Sequence, residues 1–129
     1  MLVKDHIRET IQKTFLCTHI PIRSFEFDGT PIYSAGYNRQ LEELFDRQNI
    51  YERAKQEITL TTEEQPVTIS CSEQISFTVL LICSKNINRG LHILGPYTTC
   101  SKTVLPGILY KPACCIPHII TLMRNIAAE

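Results

Sequence analysis

The chain has 129 residues, of which 43% are hydrophobic and 20% charged, and its 13 basic and 13 acidic residues balance to zero. That length fits one domain, 1–129, burying about two-thirds of the surface its unfolded form exposes, and the composition excludes extended disorder. The neutral balance, with no run of one sign, excludes a free-standing nucleic-acid binder, which needs Lys and Arg to replace the counterions along the phosphates.

No apolar stretch reaches the roughly 18 residues of a membrane span, so no membrane partner is expected. Lys4, Asp5, Arg8, Glu9 and Lys13 interrupt the opening segment, which argues against a secretory signal. A cytoplasmic location is therefore expected, with the six cysteines as reduced thiols. Cys83, inside the apolar run from Phe77, reads as a small buried hydrophobe.

In chain order, Val3, Ile7, Ile11 and Phe15 recur at four-residue steps and predict a first helix that ends between Thr18 and Pro21. Ile22, Phe25 and Phe27 precede Asp28-Gly29, and Ile32, Tyr33 and Ala35 follow it, which predicts a β-hairpin. Pro31 places the second strand beyond it or at a sheet edge. Tyr37, Leu41, Leu44, Phe45, Gln48, Tyr51 and Ala54 predict a second helix from Asn38, its N-cap, to Gln56, with a break near Asn49-Ile50 as an alternative.

Alternation then predicts strands at Ile58–Thr61 and Val67–Cys71, and a long apolar strand at Gln74–Ser84. Lys85 to Gly90 reads as a turn, Leu91–Tyr97 as the returning strand, and Gly95-Pro96 as its terminator. A connection from Ser101 to Pro117 leads to a closing helix, His118–Ala128. This order predicts an α+β fold: a PAS- or GAF-like antiparallel sheet of about five strands, with helices packed on one side and at the termini. Periodicity does not choose between those two relatives.

Three stretches together resemble the amino-terminal domain of a group of Gram-positive AraC-type transcription regulators. His19–Phe25 followed by Phe27–Ser34 resembles its opening hairpin. Gly90–Tyr97 resembles its last core strand, and Cys115–Met123 the helix that leads toward the DNA-binding half. The resemblance implies a signal-sensing or dimerising domain that forms a homodimer, takes a small-molecule effector, and meets DNA only through a downstream domain. A stand-alone small-molecule or redox sensor is the alternative.

No enzyme is expected, because Gly-x-Ser-x-Gly, phosphate-binding glycine loops and His-Glu-x-x-His are all missing. Neither a cofactor nor a metal is expected, since no two of His6, His19, His92 and His118 share a ligand spacing. His92 should face away from Leu91 and Ile93, toward solvent or an interface. A ligand pocket should lie between the sheet and the second helix, lined by Phe25, Phe27, Tyr33, Phe45, Phe77, Val79 and Leu81; core packing accounts for the same residues. The adjacent thiols Cys114 and Cys115 are the redox candidates, against a structural reading in which they pack before the last helix.

Overall fold

The first helix, α1 (Val3–Thr18), buries more than the four-residue stripe suggests. Ile7 and Ile11 are buried, and so are Thr10, Thr14 and Thr18. Each of these threonines returns its hydroxyl to the carbonyl four residues earlier, which hides the polar atom inside its own helix. His19 then takes a left-handed conformation, φ 61°, and its N–H bonds the Phe15 carbonyl, ending the helix before Pro21. The structure, a computed structural model, describes residues 3–59, 65–71, 74–84, 87–102 and 107–128.

Strands β1 (Ile22–Phe25) and β2 (Pro31–Ala35) form the expected hairpin, with β2 at the sheet edge. Its turn is made by Asp28, whose carboxylate accepts from the Thr30 N–H at 2.9 Å, and by Gly29 at φ 95°. That hydrogen bond holds the Asp28 carboxyl below its ordinary value.

The second helical region is two helices, α2 (Arg39–Arg47) and α3 (Ile50–Thr59). Asn38 caps α2 by accepting from the Leu41 N–H at 2.9 Å, and Asn49, at φ 52°, makes the break. Helix α3 runs on through Ile58 and Thr59, which overturns the start of the strand expected at Ile58–Thr61; the rest of that strand lies outside the described residues. Ile58 continues the buried row of Ile50 and Ala54, so helical burial wins over local alternation.

Four more strands follow: β3 (Val67–Ser70), β4 (Ser76–Ser84), β5 (Ile87–Thr98) and β6 (Leu109–Tyr110). The sheet order is β2-β1-β5-β4-β3, antiparallel throughout, and β6 adds to β5 in parallel. Strand β5 begins at Ile87, so the expected turn from Lys85 to Gly90 is largely strand. It also continues past Gly95-Pro96 to Thr98, so that pair does not terminate it. After a short 3-10 turn at Ala113–Cys115, helix α4 (Ile116–Ala127) starts two residues earlier than expected, with Pro117 in its first turn.

The fold is thus α+β, in a PAS/GAF-like arrangement with helices on the sheet and at both termini. Helices α2 and α3 cover one face through Phe45, Ile50, Ala54 and Ile58, meeting Phe25, Phe77, Val79, Leu91 and Ile93. The terminal helices cover the other, where Ile7, Ile11, Ile119, Ile120 and Met123 meet Ile22, Leu80, Ile82 and Leu94. No helix among the described residues is long and apolar enough to cross a membrane.

Two irregularities tune the central strand. Ser76 pairs with Tyr97 but Thr78 with Leu94, so two steps along β4 match three along β5. This bulge returns Tyr97 to the Leu94 face, where its hydroxyl meets Thr78 Oγ1 at 2.6 Å. A second slip, between Ile82 and Cys83, lies beside Gly90 at φ 149°, where a Cβ would run into the Phe25 carbonyl oxygen. We expect Gly90→Ala to cost about 3 kcal/mol or more, because both backbone conformation and space forbid the methyl. Gly107→Ala, at φ 78° with nothing within 4 Å, should cost only about 1 kcal/mol. Urea unfolding of the two variants checks this order.

Candidate ligand-binding site

The face under α2 and α3 carries a chain of aromatic contacts. Phe25 stacks on Phe45 with ring centres 5.7 Å apart and meets Tyr51 at 5.0 Å. Phe45 in turn takes the edges of Tyr37 at 6.1 Å and Phe77 at 6.0 Å. Two tyrosines tie this layer to backbone, one to β5 and one to the β1–β2 turn. Tyr37 donates its hydroxyl to the Gly95 carbonyl at 2.6 Å, and Tyr51 donates to the Phe27 carbonyl at 2.8 Å. Burial raises the Tyr37 hydroxyl far above the ordinary tyrosine value; the nearby Arg23 charge opposes that rise and Glu42 adds to it.

Among the sequence candidates, Phe25, Phe45, Phe77 and Val79 are buried here, and Phe27 and Leu81 pack half-buried against them. Tyr33 does not join them. It pairs with Ser24 across the hairpin and lies on the terminal-helix face, with the Arg8 guanidinium 5.9 Å from its ring centre. The β1–β2 register slips between Ser24 and Phe25, so the side on which each β2 residue falls is not that of a regular hairpin.

Arg23 was not singled out from sequence, yet it sits within this aromatic layer. Its guanidinium carbon is 4.5 Å from the Phe45 ring centre, 5.0 Å from Phe25 and 5.4 Å from Tyr37. The signal was available: in an alternating strand Arg23 shares its face with Phe25, two residues on.

On the opposite face, His92 is turned away from Leu91 and Ile93 as expected, but it is neither solvated nor at an interface. Helices α1 and α4 cover it, leaving 7% exposure. Its Nδ1 meets Ser24 Oγ at 2.5 Å, and burial pulls its pKa down to about 3. A Ser–His pair has the parts of a nucleophile and base, but Ser24 is 0% exposed, so no substrate can reach it. The pair instead satisfies two polar groups inside an apolar layer.

His19 and His118 are exposed, while the His6 ring contacts the Ala127 carbonyl through Nε2 at 2.7 Å, joining the start of α1 to the end of α4. Among the described residues no three His, Cys, Asp or Glu side chains are grouped to hold a metal. Cys114 is exposed and Cys115 half-buried against the terminal-helix core; both are thiols on the 3-10 turn. The Cys83 side chain lies outside the described residues. No protein-family model matches the chain, and no curated protein matches it.

The burial of His92 has a pH consequence. Between its folded value of about 3 and the ordinary 6.5, the unfolded chain binds a proton that the folded chain does not. Its contribution is complete above that ordinary value and is lost as pH falls through it. Relative to His92→Gln, the wild-type chain should lose about 2 kcal/mol between pH 7.5 and pH 5. Chemical unfolding at the two pH values measures the difference.

Proposed function

We propose that this chain is the amino-terminal signal-sensing and dimerising domain of a cytoplasmic AraC-type transcription regulator. The observation that carries the reading is the layered arrangement. The sheet order β2-β1-β5-β4-β3 has one face under α2 and α3 and the other under the paired terminal helices. In such a layout a signal received on one face has a single shared sheet between it and the helices that lead toward a partner or a further domain. The PAS/GAF-like fold favours sensing over catalysis, and the only Ser–His contact among the described residues is sealed from substrate.

On this reading the domain pairs with a second copy through the outer surfaces of α1 and α4, and two-fold pairing suits paired operator half-sites. DNA is read by helix-turn-helix units in a downstream segment, which fits the neutral charge of this one.

Two measurements test it. The endogenous polypeptide detected with an antibody to this domain should be substantially larger than 14.8 kDa; a species of that mass would sink the regulator reading in favour of a stand-alone sensor. Sedimentation equilibrium should give a dimer. Leu16, 65% exposed on α1, should weaken it at least about tenfold when changed to Asp, the scale of losing a large apolar side chain from an interface. Removing α1 altogether is not a fair test, since Ile7 and Ile11 belong to the core.

A further inference from the structure

Arg23 stands at a strand position whose pattern calls for an apolar side chain. It alternates with Ser24 and shares its face of β1 with Phe25, and its partner across β5 is the fully buried Ile93. Its guanidinium lies against Phe45, Phe25 and Tyr37, two of them buried core rings. The side chain is half-buried, and among the described residues no carboxylate or carbonyl accepts a hydrogen bond from it. Glu43 is engaged by Arg39 on the exposed side of α2, and Glu42, the next acid along, forms no ion pair with Arg23.

Rings satisfy only the faces of a guanidinium. The quadrupole of an aromatic ring attracts the cation, but the N–H groups lie in the guanidinium plane and need acceptors at its edge. Partial withdrawal of the side chain from water weakens the hydration of its charge, and no carboxylate contacts it in return. A planar fork held in place by packing has also lost most of its conformational freedom before any ligand arrives, which is the condition for bidentate recognition of an oxyanion.

From this geometry we infer that Arg23 is the anchoring residue of a site for a small oxyanion, a carboxylate or a phosphate group, at the rim of the α2–sheet core. The anion sits at the guanidinium edge, and Phe45, Phe25 and Tyr37 hold the guanidinium from behind. This deepens the sensing part of the proposed function by giving the effector a chemical class. Tyr37 links the site to the central strand through the Gly95 carbonyl, so occupancy of the site bears on a backbone unit of β5.

Titration calorimetry of the purified chain with inorganic phosphate and, separately, with benzoate tests the site. Saturable binding of at least one is expected, and which one binds tells phosphate from carboxylate. Arg23→Gln should weaken it about ten- to hundred-fold, the scale of a charge-assisted hydrogen-bonded pair, while Arg39→Gln leaves it unchanged. Should Arg23→Gln not fold, Arg23→Lys decides, because it keeps the charge and loses the fork: weakened binding supports the site and unchanged binding overturns it. No saturable binding of either anion by the wild-type chain, or equal binding by Arg23→Gln, also overturns it. The regulator reading stands or falls on polypeptide size and dimerisation, so the two can fail separately.

Discussion

Strand β5 must serve two cores at once. From Leu91 to Thr98 every residue is buried, because β1 and β4 flank the strand while helices press on it from both faces. A strand in that position has no solvent side on which to place a polar group, so each one it carries needs a partner inside the protein. His92 has Ser24, Tyr97 has Thr78, and the Gly95 carbonyl has Tyr37. These partners come from β1, β4 and the segment leading into α2. The strand therefore fixes its neighbours as much as it is fixed by them.

The two faces differ in how they satisfy polarity. Under the terminal helices, threonine hydroxyls on α1 turn back to their own helix, and the Ser24–His92 pair closes on itself. That layer is sealed. The α2–α3 face instead carries a half-buried arginine laid on rings, with no hydrogen-bond acceptor for it among the described residues. Polar groups satisfied internally suit support, and one left to be satisfied from outside suits recognition.

Much of this was legible in the chain. The spacing of Leu41, Phe45 and Ala54 placed the helices, Asn38 marked their start, Asp28-Gly29 the turn, and the Phe77 run the long strand. Local patterns stopped short where long-range contacts decide. Ile58 and Thr59 alternate like a strand, but the buried row from Ile50 through Ala54 carries the helix across them. His92 reads as the polar side of a half-exposed strand until α1 and α4 arrive to cover it, and they come from the two ends of the sequence. Tyr33 went to the wrong face because a register slip has no signature in the residues themselves. Arg23 gives no signal of its own in the sequence, because a charge in a short strand is ordinarily solvated and only the packed rings make it otherwise.

The bulge opposite Phe77 also says something about which length changes this protein can accept. Loops can gain or lose residues at small cost, but in β5 the count between Leu94 and Tyr97 is a matter of parity. A one-residue change of length that no bulge absorbed would send Tyr97 into the aromatic layer and strip Thr78 of its partner. It would do so without altering the chemistry of a single side chain. Descendants of this sequence are free to change the letters of this strand, within their apolar alphabet, far more readily than its spelling length.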